Sequence, residues 1–218
     1  MNLLAGSTGF LGNRILDELS LCQNETLALS RRKINTLPKN TEQLIIDFKK
    51  LSELEIPQIE HVFLSLGFPL FFHNVMGIMN ENLKKNLFLV DFTYQLEIAN
   101  KAKDAGAKHI SIISAVGANS QSWNYYLKTK GMVEKEIINI GFDSTNIFQP
   151  GHLRGNKYRF DILLADMASI FVDPLLYGPL KKFRSISANA VAKQVVNNSI
   201  KSKSGINYFD FKDFQPWI

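Results

Sequence analysis

The sequence predicts an α/β protein: a doubly wound parallel sheet with helices on both faces, in three layers α/β/α. Strand-like and helix-like segments alternate along most of its 218 residues, the pattern of parallel strands joined by crossover helices. The run His109-Ile110-Ser111-Ile112-Ile113-Ser114 is apolar almost throughout rather than at every second residue, as a strand covered on both faces must be. The first strand, Asn2-Leu3-Leu4-Ala5, opens directly into a glycine-rich turn that leads into a helix.

That turn is Gly6-Ser7-Thr8-Gly9-Phe10-Leu11-Gly12, and Asn13-Arg14-Ile15-Leu16-Asp17-Glu18-Leu19 continues as the helix. Thr26-Leu27-Ala28-Leu29 is predicted as the second strand, ending at Ser30-Arg31-Arg32-Lys33. Gln43-Leu44-Ile45-Ile46 is the third, ending at Asp47-Phe48. His61-Val62-Phe63-Leu64-Ser65 is the fourth and closes on Leu66-Gly67. One long helix is expected over 82–105, because Leu83, Leu87, Val90, Tyr94, Ile98 and Ala102 recur at helical spacing and Gly106 ends it. After the fifth strand at 109–114 come a helix over 126–140, stopped by Gly141, and a sixth strand over 144–149, cut off by Pro150-Gly151. The remainder holds an amphipathic stretch at 161–171, a turn region around Pro174, Gly178 and Pro179, a helix at 189–200, and Ile206-Asn207-Tyr208-Phe209 as a strand closing the sheet. No repeat or low-complexity linker breaks the alternation. A single domain over 1–218 is expected, with a small substrate-side region at about 152–185.

Hydrophobic residues at 45% and charged residues at 21% belong to a globular rather than a disordered chain. The formal charge of +5 sits on scattered lysines, such as Lys49-Lys50, Lys84-Lys85 and Lys181-Lys182, with no interleaved aromatic stripe. Nucleic acid is therefore not expected as a partner. No apolar run approaches the roughly 18 residues of a membrane span, and the first apolar residues belong to a strand, not a targeting segment. Cys22 is the one cysteine, so no intrachain disulfide forms; a reducing compartment and a cytoplasmic location are expected.

The glycine turn has the order that a dinucleotide pyrophosphate needs. Gly6 permits the tight turn, Gly9 lets backbone approach the phosphates, and Gly12 lets the helix pack on the strand. Thr8, Phe10 and Leu11 complete a turn whose unpaired N–H groups lie at the positive end of the helix dipole. The spacing is GxxGxxG rather than GxGxxG. At the end of the second strand, where an acidic residue would favour NAD, the chain has Ser30-Arg31-Arg32, planar forks suited to the 2′-phosphate of NADP(H). Asp47 is placed to accept from an adenine amino group, with Phe48 against the ring.

Ser114 follows the fifth strand, and Tyr126 and Lys130 lie one helical turn apart on one face. A lysine ammonium beside a phenol is expected to lower the tyrosine pKa from about 10. The tyrosine then exchanges a proton with a carbonyl or hydroxyl oxygen, which Ser114 orients, while hydride moves to or from nicotinamide. His61, His73, His109 and His152 show no metal-ligand spacing, and neither a GxSxG elbow nor a Walker A lysine is present. His152 and Arg154 follow the Pro-Gly turn and are candidates to face substrate, and Phe68-Pro69-Leu70-Phe71-Phe72 is an apolar insertion that lines a pocket, supports a partner interface or packs in the core.

Gly6–Gly12, Asp47-Phe48, Leu66-Gly67, Ser114, Tyr126/Lys130 and Gln149-Pro150-Gly151 together resemble an atypical short-chain dehydrogenase/reductase. Ser114-Ala115-Val116-Gly117-Ala118-Asn119, Tyr126–Gly131 with Val133-Glu134, and Arg31-Arg32-Lys33 are similar to the branch of Tat-interacting oxidoreductase-like proteins and their bacterial relatives. The resemblance spans residues 1–198 and is weakest at 68–80 and 157–182. It implies a Rossmann fold binding NADP(H), with Ser114, Tyr126 and Lys130 as the catalytic set. Leu66 and Gly67 would then line the cofactor, and Pro150, Gly151 and Leu153 would lie near the nicotinamide. Two departures stand out: the fourth strand ends Ser65-Leu66-Gly67-Phe68 rather than Asn-Asn-Ala-Gly, and Gln149 replaces the usual arginine before Pro-Gly. The function expected is NADP(H)-dependent hydride transfer on a small carbonyl or alcohol. The alternative is a non-catalytic NADP(H)-binding regulator acting through a protein partner, and a homodimer is left open. A nucleotide-sugar epimerase needs a larger lobe than the stretch after the sixth strand provides.

Overall fold

A computed structural model describes residues 1–155, 160–201 and 203–215. Residues 157–159 of the stretch where the resemblance is weakest lie outside the described residues. The main strands are β1 (Asn2–Ala5), β2 (Thr26–Ser30), β3 (Thr41–Ile45), β4 (His61–Leu64), β5 (His109–Ile113) and β6 (Ser144–Phe148). A short parallel pair, β7 (Leu153–Arg154) with β8 (Ile186–Ser187), precedes β9 (Gly205–Phe209). Seven strands form one sheet in the order β3-β2-β1-β4-β5-β6-β9, with every pair parallel. The doubly wound α/β architecture that the sequence predicts is the one observed.

Successive residues of the central strands point to opposite faces, and both faces are buried. Leu3, Leu27, Val62 and Ile110 pack under α4 (Tyr94–Asp104) and α5 (Tyr125–Ile140). Leu4, Ala28, Phe63 and Phe148 pack under α1 (Phe10–Leu19) and α7 (Ala188–Ile200). Each fully buried aliphatic side chain contributes about 1.5–3 kcal/mol, which explains why these strands read as continuous apolar runs. The remaining helices are α2 (Phe72–Val75), α3 (Glu81–Phe88), α6 (Phe160–Val172) and α8 (Phe211–Phe214). The expected β9 does close the sheet, at its edge beside β6.

One element departs from its prediction. The single helix expected over 82–105 is α3 and α4 joined by a π turn, Leu89–Thr93. The wider turn inserts a residue into the helical repeat, and the inserted geometry buries Asp91. An apolar stripe runs through both halves, so periodicity alone reads one helix.

Candidate active site

The C-terminal ends of β1 and β4 meet where the strand order reverses, the crevice at which open α/β sheets bind ligands. Gly6 turns the chain there with φ 91°. A Cβ on Gly6 would sit 2.6 Å from the Ser65 carbonyl oxygen, and one on Gly12 would sit 2.1 Å from that of Gly6. Only glycine at both positions lets α1 start directly on the turn. No side chain caps α1, so its first amides have no intrahelical acceptor. The Ser7 hydroxyl beside them is buried with no hydrogen-bond partner among the described residues. A cradle of free N–H groups with no Cβ in the way fits a pyrophosphate.

Beside this cradle, Arg31 and Arg32 are exposed at the end of β2. Ser30 is buried beneath them: its hydroxyl donates to the Arg32 carbonyl at 2.9 Å and accepts from the Gln43 amide at 2.6 Å. Ser30 therefore braces the arginine turn instead of presenting a free hydroxyl, and Gln43 is its unforeseen partner. The Phe48 ring, expected against an adenine, is only 4% exposed and meets Tyr94 edge-on at 5.7 Å. Burial in the core wins over display. Asp47 accepts from the Lys49 N–H at 3.0 Å and caps the short helix Phe48–Glu53. Leu66 is buried, whereas Gly67 is exposed with open space where a Cβ would stand.

The Tyr126 and Lys130 side chains share one face of α5, with the ammonium 5.9 Å from the phenol ring centroid. Asn124 caps this helix by accepting from the Leu127 N–H at 3.1 Å. Lys130 is buried and pairs with Asp91 at 2.8 Å, while the other Asp91 oxygen accepts from the Phe68 N–H at 2.7 Å. Asp91 thus ties the π turn, the candidate lysine and the loop after β4 together. The expected depression of the Tyr126 pKa is not what results. Burial pushes the phenol above its usual range; Lys130 pulls it down, and Asp91 offsets that pull. The Lys130 ammonium is itself held above its ordinary value, because Asp91 and Tyr126 outweigh its burial.

Ser114 is buried, and its hydroxyl donates to Glu134 rather than standing free for a substrate oxygen. Gln149, in the place of the usual arginine, donates to the same Glu134 oxygen at 2.9 Å. Burial lifts the Glu134 carboxyl above the usual carboxylate range, against the opposing pull of the Ser114 and Gln149 hydrogen bonds and of the Lys130 charge. The Pro150 carbonyl accepts from the Val116 N–H at 3.0 Å, joining the Pro-Gly turn to the loop that carries Ser114. His152 pairs with Asp166 at 2.7 Å, and Arg154 of β7 lines an open depression. Leu70 of the apolar insertion is buried and Phe71 is exposed. Cys22 lies in the turn after α1, where burial raises its thiol pKa, the setting of a packed residue and not of a nucleophile. Sequence reasoning missed Asp91 and Glu134. The signals were an acidic residue inside an apolar helical stripe, and a glutamate one turn beyond Lys130.

No family model matches the chain. Protein FMP52-1, mitochondrial, of Scheffersomyces stipitis is 30% identical over 208 residues, covering 90% of this chain and 87% of that protein. The chain belongs to the FMP52 family. Protein HTATIP2 of Rattus norvegicus is 31% identical over 157 residues, covering 69% of this chain and 61% of that protein. The HTATIP2 match bears out the resemblance to the Tat-interacting branch that the sequence carries. Several relatives are named as mitochondrial proteins, which overturns the cytoplasmic expectation: a lone cysteine reports a reducing environment, not a compartment. Among solved structures, the closed form of serine dehydrogenase complexed with NADP+ has a TM-score of 0.71 at 14% identity, covering 96% of this chain and 94% of that one. UDP-glucose 4-epimerase of Thermotoga maritima, with UDP-glucose, has a TM-score of 0.71 at 15% identity, covering 96% of this chain and 77% of that one. At these identities the likeness is one of fold.

Proposed function

We propose that this chain is an NADP(H)-dependent oxidoreductase acting on a small carbonyl or alcohol. The observation that carries the reading is the Tyr126 hydroxyl on one face of α5, beside a lysine whose charge Asp91 holds in place. No described residue hydrogen-bonds that hydroxyl, and its raised pKa keeps it protonated at neutral pH. A held phenolic proton suits donation to a carbonyl oxygen as it becomes an alkoxide, so reduction is the favoured direction. The bound dinucleotide supplies the hydride chemistry. The glycine cradle would hold its pyrophosphate, with Thr8, Gly9, Phe10 and Leu11 lining the turn. Arg31 and Arg32 would take the 2′-phosphate, and Leu66, Gly67, Pro150, Gly151 and Leu153 would flank the nicotinamide end. The names of the relatives support a mitochondrial setting.

NADPH oxidation against a panel of small aldehydes and ketones tests this, with Tyr126→Phe as control. The expected result is turnover that Tyr126→Phe lowers by roughly 100-fold or more, with NADPH affinity kept within a few-fold. NADPH should also raise the melting temperature more than NADH at equal concentration. Equal shifts would sink the assignment of Arg31 and Arg32. One observation favours the second reading, a cofactor-binding regulator: the Ser114 hydroxyl is spent on Glu134. Tight NADPH binding with no turnover across the panel would select it.

A further inference from the structure

Beside β7 lies an open depression of about 530 Å³, within the size range of small-molecule sites. Two arginines, Arg154 and Arg184, face an apolar wall of Ile170, Pro174 and Tyr177. Asp173 also lines it, but its carboxylate oxygens accept from the Ser185 N–H at 3.1 and 3.2 Å and from the Ser185 hydroxyl at 3.2 Å. Arg184 donates from Nε to the Leu176 carbonyl at 3.0 Å, which fixes the base of its guanidinium and leaves the outer fork. No described residue hydrogen-bonds or ion-pairs with the Arg154 guanidinium, although the residue is half-buried. Exposed Lys181 and Lys182 nearby in sequence add positive charge.

The segment that carries Arg184 reaches the Pro-Gly turn of the candidate active site. Gly151 packs against the segment that carries Arg184; a Cβ there would sit 2.5 Å from the Arg184 carbonyl oxygen. The same Pro-Gly turn bonds to the loop after Ser114. A guanidinium with no partner among the described residues, next to apolar surface and on a segment joined to the Pro-Gly turn, fits a substrate bearing an anion at its far end.

We propose that this depression is the substrate end of the site, and that the substrate is a carbonyl or alcohol compound carrying a carboxylate or phosphate. The anion would bridge Arg154 and Arg184, with its carbon chain along Ile170 and Tyr177. This rests on the oxidoreductase reading. The test compares oxo acids, their methyl esters and oxo-alkyl phosphates as substrates of the full chain with NADPH. Unreactive carboxylates and inorganic phosphate are followed in parallel by thermal shift with NADP+ present.

The acid or the phosphate should exceed its neutral partner in kcat/KM by at least about tenfold, and the better of the two names the anion. Arg154→Met should lower kcat/KM for the anionic substrate by roughly 10- to 100-fold, mainly through KM, and erase its advantage over the ester. Arg154→Lys should restore only part, because an ammonium lacks the planar fork. Equal use of acid and ester by the unaltered protein, or no stabilisation by any anion, overturns the proposal without any variant being made. Anion stabilisation that Arg154→Met abolishes, in the absence of turnover, keeps this site and overturns the oxidoreductase reading instead.

Discussion

At the residue scale, the chemistry turns on how Asp91 divides its two oxygens between Lys130 and the Phe68 N–H. A buried ion pair adds little net stability, yet removing one partner leaves the other charge unscreened. Asp91→Asn keeps the shape and removes the charge. We expect it to cost about 3–5 kcal/mol in urea denaturation, because the Lys130 ammonium then lies buried without its anion. The same change should move the Tyr126 titration downward. Asp91 raises the phenol pKa and Lys130 lowers it, so deleting the aspartate charge leaves the lysine's pull unopposed. Tyrosinate absorbance of Asp91→Asn, taken as a difference from Asp91→Asn with Tyr126→Phe, reads that shift directly. A Tyr126 transition at or above that of the unaltered protein would show that the aspartate does not set the phenol's proton affinity.

At the scale of elements, α5 carries Tyr126 and Lys130 at a fixed height because it lies tightly on the loop after β5. A Cβ on Gly131 would come within 2.2 Å of the Ser120 backbone nitrogen, so Gly131→Ala must push the helix outward. We expect about 1–3 kcal/mol of destabilisation together with a smaller NADPH-induced rise in melting temperature. Gly67→Ala separates packing from binding. No atom lies within 4 Å of its would-be Cβ, so stability should hold within about 0.5 kcal/mol while the NADPH shift falls. A lost melting temperature without ligand, or an unaltered NADPH shift, contradicts the placement of Gly67 beside the cofactor. The strands, α1 and the Tyr126/Lys130 face were legible in the sequence because period-two, period-3.6 and glycine signals all agreed there. Asp91 was not, because a π turn adds one residue to a repeat that otherwise looks unbroken. Glu134 reads as an ordinary helical glutamate until the fold brings Ser114 and Gln149 against it. The burial of Phe48 was not legible because the Tyr94 ring it packs against lies far along the chain.

At the scale of the whole molecule, the sheet carries a buried histidine at its centre. His61 on β4 bonds through Nε2 to the Ser111 hydroxyl of β5 at 2.9 Å and stacks on Phe63 with 4.2 Å between centroids. Burial, with a smaller contribution from neighbouring His109, lowers its pKa to about 3, so it is neutral in the folded protein. The unfolded chain binds that proton near pH 6.5. The sign follows: the stabilisation from keeping His61 neutral is complete above about pH 6.5 and is lost as pH falls toward 3. At about 1.4 kcal/mol per pH unit, the loss reaches on the order of 5 kcal/mol at the acid end. Because β4 and β5 join the two halves of one sheet, the proton should unfold the molecule cooperatively rather than fray one edge. Urea midpoints at pH 8, 6.5, 5 and 4 should fall steeply below 6.5 in the unaltered protein. In His61→Gln, which keeps a hydrogen-bonding group but cannot titrate, the fall over that interval should be shallower by up to about 1.4 kcal/mol per unit. Parallel profiles for the two proteins would place the acid sensitivity elsewhere, in the carboxylates that other parts of the fold hold in pairs.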